Sequence, residues 1–86
     1  MKILLDQERE IEITGYSIMK FEKETGKSIF KIGDEPKMTD IIYLVWAFLK
    51  EDMKLDDVAR LINLKNMRNI TQTLTELMNE SNLGNE

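Results

Sequence analysis

Met38-Thr39-Asp40-Ile41-Ile42-Tyr43-Leu44-Val45-Trp46-Ala47-Phe48-Leu49 is the stretch on which the fold turns. From Ile41 to Leu49 every side chain is apolar or aromatic. A segment of this kind has no polar face to offer water and must be surrounded by the rest of the chain. A buried strand is the competing reading for a run of this length, but Ala47 and the unbroken continuation into Lys50-Glu51 favour a helix of about three turns. Thr39 is placed as its N-cap, and Asp40 behind it sets a carboxylate at the positive end of the helix dipole. The run is far shorter than the about 20 residues needed to cross a bilayer.

Upstream of this central helix, Lys2 to Leu5 is a short apolar run and Glu10-Ile11-Glu12-Ile13 alternates with period two, with Asp6-Gln7-Glu8-Arg9 between them. The pattern predicts a β-hairpin with Ile11 and Ile13 on one face. An isolated hairpin is marginal in water, so that face must pack on the helices that follow. Ser17 to Thr25 reads as the first helix, with Ser17 as N-cap, Ile18 and Phe21 inward, and Gly26 as the stop. Lys27 to Ile32, closed by Gly33-Asp34-Glu35-Pro36, reads either as a helical turn or as an extended connector.

Downstream, Leu55 stands before Asp56 as an apolar residue ahead of an N-cap, and Val58, Leu61 and Ile62 follow at helical spacing as far as Asn63. From Asn66 the apolar positions Met67, Ile70, Leu74, Leu77 and Met78 trace one face of an amphipathic helix, with Thr71, Thr73 and Thr75 mostly on the polar side. Asn79 to Glu86 holds a single large apolar residue, Leu83, and reads as a flexible polar tail. The expected architecture is therefore α+β and mainly α: a short N-terminal hairpin followed by three to four packed helices in one domain over residues 1–78, with a tail over 79–86.

Composition narrows the function. The chain has 86 residues, with no Cys and no His, so disulfides, thiolate or imidazole metal ligands, cysteine nucleophiles and imidazole bases are excluded. Its three Ser and six Thr therefore have no imidazole to activate them. Carboxylates that adjoin in sequence, Asp56-Asp57 and Glu51-Asp52, diverge on a helix, and Glu8, Glu10 and Glu12 read as a solvated face. The four Gly stand singly, with no phosphate-cradling motif, so neither a cofactor nor a metal is expected. Twelve Lys and Arg against 16 Asp and Glu leave a net charge of −4, which repels nucleic acid and anionic membranes at long range. The apolar run at the start is too short for a signal peptide, which points to the cytoplasm.

A helix-turn-helix DNA-binding regulator is the alternative raised by Asp57-Val58-Ala59-Arg60-Leu61-Ile62-Asn63-Leu64 and the helix after it. Its register slips, because Ile70 falls one place late and a one-residue shift rotates a side chain about 100° off the packing seam. Only Lys65 and Arg68 are on hand for phosphates. A protein-binding surface is the stronger expectation. Tyr43, Trp46 and Phe48 point in different directions from the central helix, Met occurs six times, and so short a chain is hard pressed to bury every large side chain. Phe30, Ile32, Trp46 and Met78 are the candidates for an apolar patch that marks a protein partner, and self-association would reinforce so small a domain.

The order of these segments resembles the tail assembly chaperones of long-tailed bacteriophages and prophages. The resemblance spans residues 1–78. It rests on Phe21-Glu22-Lys23-Glu24-Thr25-Gly26-Lys27-Ser28-Ile29, on the Trp46-Ala47-Phe48-Leu49 end of the central helix, and on Asp56-Asp57-Val58 at the start of the next. It implies a small, mostly helical, non-enzymatic protein of the bacterial cytoplasm. Such a protein binds the tape-measure protein, keeps it soluble while the tail tube polymerises around it, and is absent from the finished virion. The partners it implies are the tape-measure protein, the tail tube protein and a longer, frameshifted form of the chaperone, and the polar end at Ser81 to Glu86 is compatible with the short form. A structural tail or head component is a further alternative. On this reading the amphipathic face Met67, Ile70, Leu74, Leu77 and Met78 covers the apolar stripe of a helical client, with flexible Met side chains accepting varied contacts.

Overall fold

The computed structural model describes residues 1–32 and 36–81. Its elements in chain order are β1 (Lys2–Leu4), β2 (Glu8–Glu10), α1 (Gly15–Thr25), a single 3-10 turn (Ile29–Lys31), α2 (Met38–Phe48), α3 (Leu55–Leu61) and α4 (Met67–Glu80). A short antiparallel hairpin followed by four helices is the α+β, mainly helical architecture expected of the sequence.

The hairpin pairs Lys2 with Glu10, Ile3 with Arg9 and Leu4 with Glu8. Ile3 and Leu5 point into the core while Lys2 and Leu4 face out, as strand alternation requires. The second strand begins two residues before the alternating segment because the turn is tight. The Leu5 amide donates to the Gln7 carbonyl at 3.0 Å, and the Asp6 carboxylate takes the Gln7 amide and the Arg9 guanidinium at 2.9 Å. Ile11 then leaves β2 and bridges to Leu49. The Glu12 amide donates to the Phe48 carbonyl and the Lys50 amide to that of Glu10, so the chain leaving α2 continues the sheet along the far side of β2. Ile11 is fully buried there and Ile13 partly buried.

Three helix starts differ from expectation, the first two for the same reason. α1 is capped by Thr14 rather than Ser17: the Ser17 amide donates to Thr14 Oγ1 at 3.2 Å, and the Thr14 amide to Ser17 Oγ at 2.7 Å. Ser17 is thus the third helical residue of a reciprocal capping box. At α2 the cap position is Lys37, Thr39 lies inside the helix, and Asp40 is the residue that reaches back, accepting the Lys37 amide at 3.1 Å. α3 likewise starts with Leu55 inside it, after Lys54, and places Asp56 and Asp57 in its first turn. α4 runs on through Glu80, so Asn79 and Glu80 belong to the helix and not to a tail; residues 82–86 lie outside the described residues.

α2 is the hub. It packs against α1, α3 and α4, and α4 also packs on β1. Ile41, Leu44, Val45, Ala47 and Phe48 of α2 are buried together with Phe21, Ile29, Val58, Ile70, Leu74 and Leu77. The turn between α3 and α4 is held by two asparagines: Asn63 Oδ1 accepts the amides of Lys65 and Asn66, and Asn66 takes the Asn63 amide and donates to the Leu61 carbonyl at 2.8 Å.

Candidate partner-binding surface

The string from Phe21 to Ile29 builds a joint between α1 and α2, and nearly every side chain in it is engaged. Phe21 is fully buried. Thr25 Oγ1 donates to the Phe21 carbonyl at 2.8 Å and accepts the Lys27 amide at 3.1 Å. Gly26 adopts the left-handed conformation at φ 71° that ends α1, a conformation in which any side chain is strained. The Glu22 carboxylate accepts the Ile29 amide at 3.2 Å, tying the 3-10 turn back to the helix before it. Lys27 reaches Asp40 at the start of α2, Nζ to Oδ1 3.0 Å, and Ser28 Oγ accepts the Phe30 amide at 3.3 Å. The string is thus a structural signature, with no side chain left over for chemistry among those that define it.

Asp40 is the charged anchor of this joint. Its side chain is about 10% exposed. Burial acts to raise its pKa, but the Lys27 ammonium and the Lys37 amide outweigh that and hold the carboxyl below the ordinary aspartate value.

The joint presents Phe30. With Ile29 buried on one side of the 3-10 turn, Phe30 stands out at 58% exposure. Ile32, its neighbour among the candidates, is partly buried against the core. Trp46 is also partly buried and has structural partners: its indole N–H donates to the Met53 carbonyl at 3.1 Å, the Lys20 ammonium lies 4.3 Å from its ring centre, and Tyr43 meets it edge-on at 6.4 Å. It fixes the loop after α2 and shows only part of its ring to solvent.

The expected binding face of α4 is turned inward. Ile70 is fully buried, Leu74 and Leu77 nearly so, and Met67 and Met78 pack against the same core at its edge. In an 86-residue chain the core needs Ile70, Leu74 and Leu77, which are closed to a client while the domain is folded, and Met67 and Met78 stay partly exposed at its edge.

The large apolar side chains that do face solvent include several that the sequence reading passed over: Leu4, Tyr16, Met19, Met38 and Leu64. Tyr16 and Met19 stand one turn apart on α1, on the side away from Ser17 and Phe21, and so adjoin on the helix surface. Placing the cap at Thr14 would have brought Tyr16 into the helix and revealed this stripe. Tyr16 also edges a shallow cleft of about 140 Å³ over Ala47, Phe48 and Leu49, rimmed by Glu12 and Lys50. Among the described residues no three acidic side chains gather in a way that could hold a metal ion, and no helix is long and apolar enough to cross a membrane.

Comparison of the chain with family models, with curated proteins and with solved structures finds no match.

Proposed function

We propose that the protein is a phage or prophage tail assembly chaperone that binds the tape-measure protein in the host cytoplasm and keeps it soluble during assembly of the tail tube. The observation that carries this reading is Phe30: an aromatic side chain at 58% exposure, held out by a joint in which Phe21 and Ile29 are buried and Glu22, Thr25 and Ser28 are hydrogen-bonded. Exposed aromatics on a rigid support are the usual anchors of protein interfaces, and the same string carries the resemblance to the chaperone family. Tyr16 and Met19 add apolar surface suited to a long helical client, and the net charge of −4 favours solubility of the complex. Many copies along one client would bind by avidity rather than through one tight site. The tail tube protein and a longer frameshifted form of the chain are further partners on this reading.

The DNA-binding alternative is poorly served by charge, because Lys65 and Arg68 are the cations at hand in a chain of net charge −4. The test is a pull-down of tagged protein from cells producing the source phage, at moderate salt and with nuclease, with the captured proteins identified by mass spectrometry. Recovery of the tape-measure protein with wild type, and its loss with Phe30→Asp, is the expected result. Capture only of material that nuclease and salt remove would instead support DNA binding, since phosphate contacts weaken steeply with salt.

A further inference from the structure

The hairpin has one closed edge and one open edge. On the far side of β2 the segment 48–50 supplies partners to Glu10 and Glu12. On β1 the ladder alternates: the Met1 carbonyl takes the Ile11 amide, Ile3 pairs with Arg9, and the Leu5 amide goes to Gln7, so residues 1, 3 and 5 bond inward to the second strand. The amide and carbonyl groups of Lys2 and Leu4 therefore aim the other way, and among the described residues they have no hydrogen-bond partner. Backbone groups without partners are seldom left unmet, so these four are the groups that a further strand would use. The side chains of Lys2 and Leu4 are exposed as well, Leu4 at 51%.

We propose that β1 is a homodimerisation edge, at which two copies pair β1 to β1 antiparallel about a two-fold axis through Ile3. The open groups lie symmetrically on either side of Ile3, so a second copy turned by the two-fold axis satisfies all of them at once with four backbone hydrogen bonds. The result is a four-stranded sheet in the order β2, β1, β1, β2, with the two outer edges closed by the segments that follow α2. In this register Lys2 of one copy lies opposite Leu4 of the other, and no like charges face each other across the new pairing. The sheet's inner face, built on Ile3, Leu5 and Ile11, then becomes continuous across the dimer, which reinforces a domain of only 86 residues. This inference stands independently of the proposed client.

Sedimentation equilibrium of the full chain over a wide concentration range, together with amide hydrogen exchange, tests it. Leu4→Pro removes an outward-pointing amide without touching a β1–β2 bond, and Leu4→Lys sets a lysine opposite Lys2 of the other copy. The expected result is a mass that rises from 10.1 kDa toward twice that value with concentration, and Leu4 amide exchange that slows in parallel. Both variants should weaken the association by about tenfold or more, Leu4→Pro through the hydrogen bonds its missing amides would donate and Leu4→Lys through like charges set opposite each other, with unchanged far-ultraviolet circular dichroism. A mass of one chain at every concentration overturns the proposal. So does a dimer that both variants leave unchanged and that gives the Leu4 amide no protection; this outcome would place the contact elsewhere, with the Tyr16 and Met19 stripe the first place to look. If Leu4→Pro fails to fold, Leu4→Lys and the exchange data decide.

Discussion

Gly26 and Asp40 show how single residues set this fold. A Cβ at Gly26 would meet nothing within 4 Å, so the only obstacle to Gly26→Ala is the φ of 71°. The substitution is expected to cost about 1 kcal/mol in urea unfolding, the ordinary difference between Gly and Ala in the left-handed region. Asp40 adds a pH dependence. Its pKa is held below that of an unfolded aspartate, so the unfolded chain takes up the proton first as the pH drops. The stabilisation from Asp40 is complete above the ordinary aspartate value of about 3.9 and is lost as the pH falls through the lower folded-state value. Asp40→Asn should therefore cost about 1 kcal/mol at neutral pH, by analogy with the loss of other helix caps, and the gap from wild type should narrow toward pH 3. Urea melts of the two proteins at pH 7 and pH 3 check this, and a gap that widens on acidification would contradict it.

Among the elements, α4 and the hairpin separate what was legible from what was not. The all-apolar run at 41–49 announced α2 and its central place, and the period of Met67, Ile70, Leu74 and Leu77 announced α4, because burial leaves a direct mark on sequence. Helix starts were less legible. Ser17 and Asp40 are polar residues near a helix start, and the chain alone does not distinguish a side chain at the cap from one three residues in that reaches back to it. The burial of Ile70, Leu74 and Leu77 was not legible, because amphipathicity marks an apolar stripe without saying whether the chain's own core covers it. Leu74→Ala is accordingly expected to cost about 2 to 5 kcal/mol, a large part of the about 5 to 15 kcal/mol that holds a domain together, and to act on folding before binding. Phe30→Ala should change stability by less than about 0.5 kcal/mol yet weaken client binding by about thirtyfold, as the loss of an exposed interface anchor does. Arg9 sits between these extremes: its guanidinium joins Asp6 in the hairpin turn to both oxygens of Glu51 after α2, and its side chain is only 11% exposed. Arg9→Met should lower the midpoint of thermal unfolding, because it cuts charge-assisted bonds between two parts of the chain.

Taken whole, the molecule is a small helical body with a radius of gyration of 11.7 Å, and its exposed apolar groups include Phe30 at a helix joint, Tyr16 and Met19 on a helix face and Leu4 on a strand edge. That arrangement suits a protein whose business is contact with other chains, including copies of itself. Because such contact is apolar, it should persist at salt concentrations that abolish phosphate binding. The most direct measurement of the proposed function is co-expression of the chain with a tape-measure protein from the genome that encodes it, followed by the fraction of tape-measure protein that stays soluble. The account predicts that wild-type protein keeps the client in solution and co-purifies with it through high salt, whereas Phe30→Asp, folded to the same melting temperature, leaves the client insoluble. A client equally insoluble with and without the wild-type protein would contradict the account.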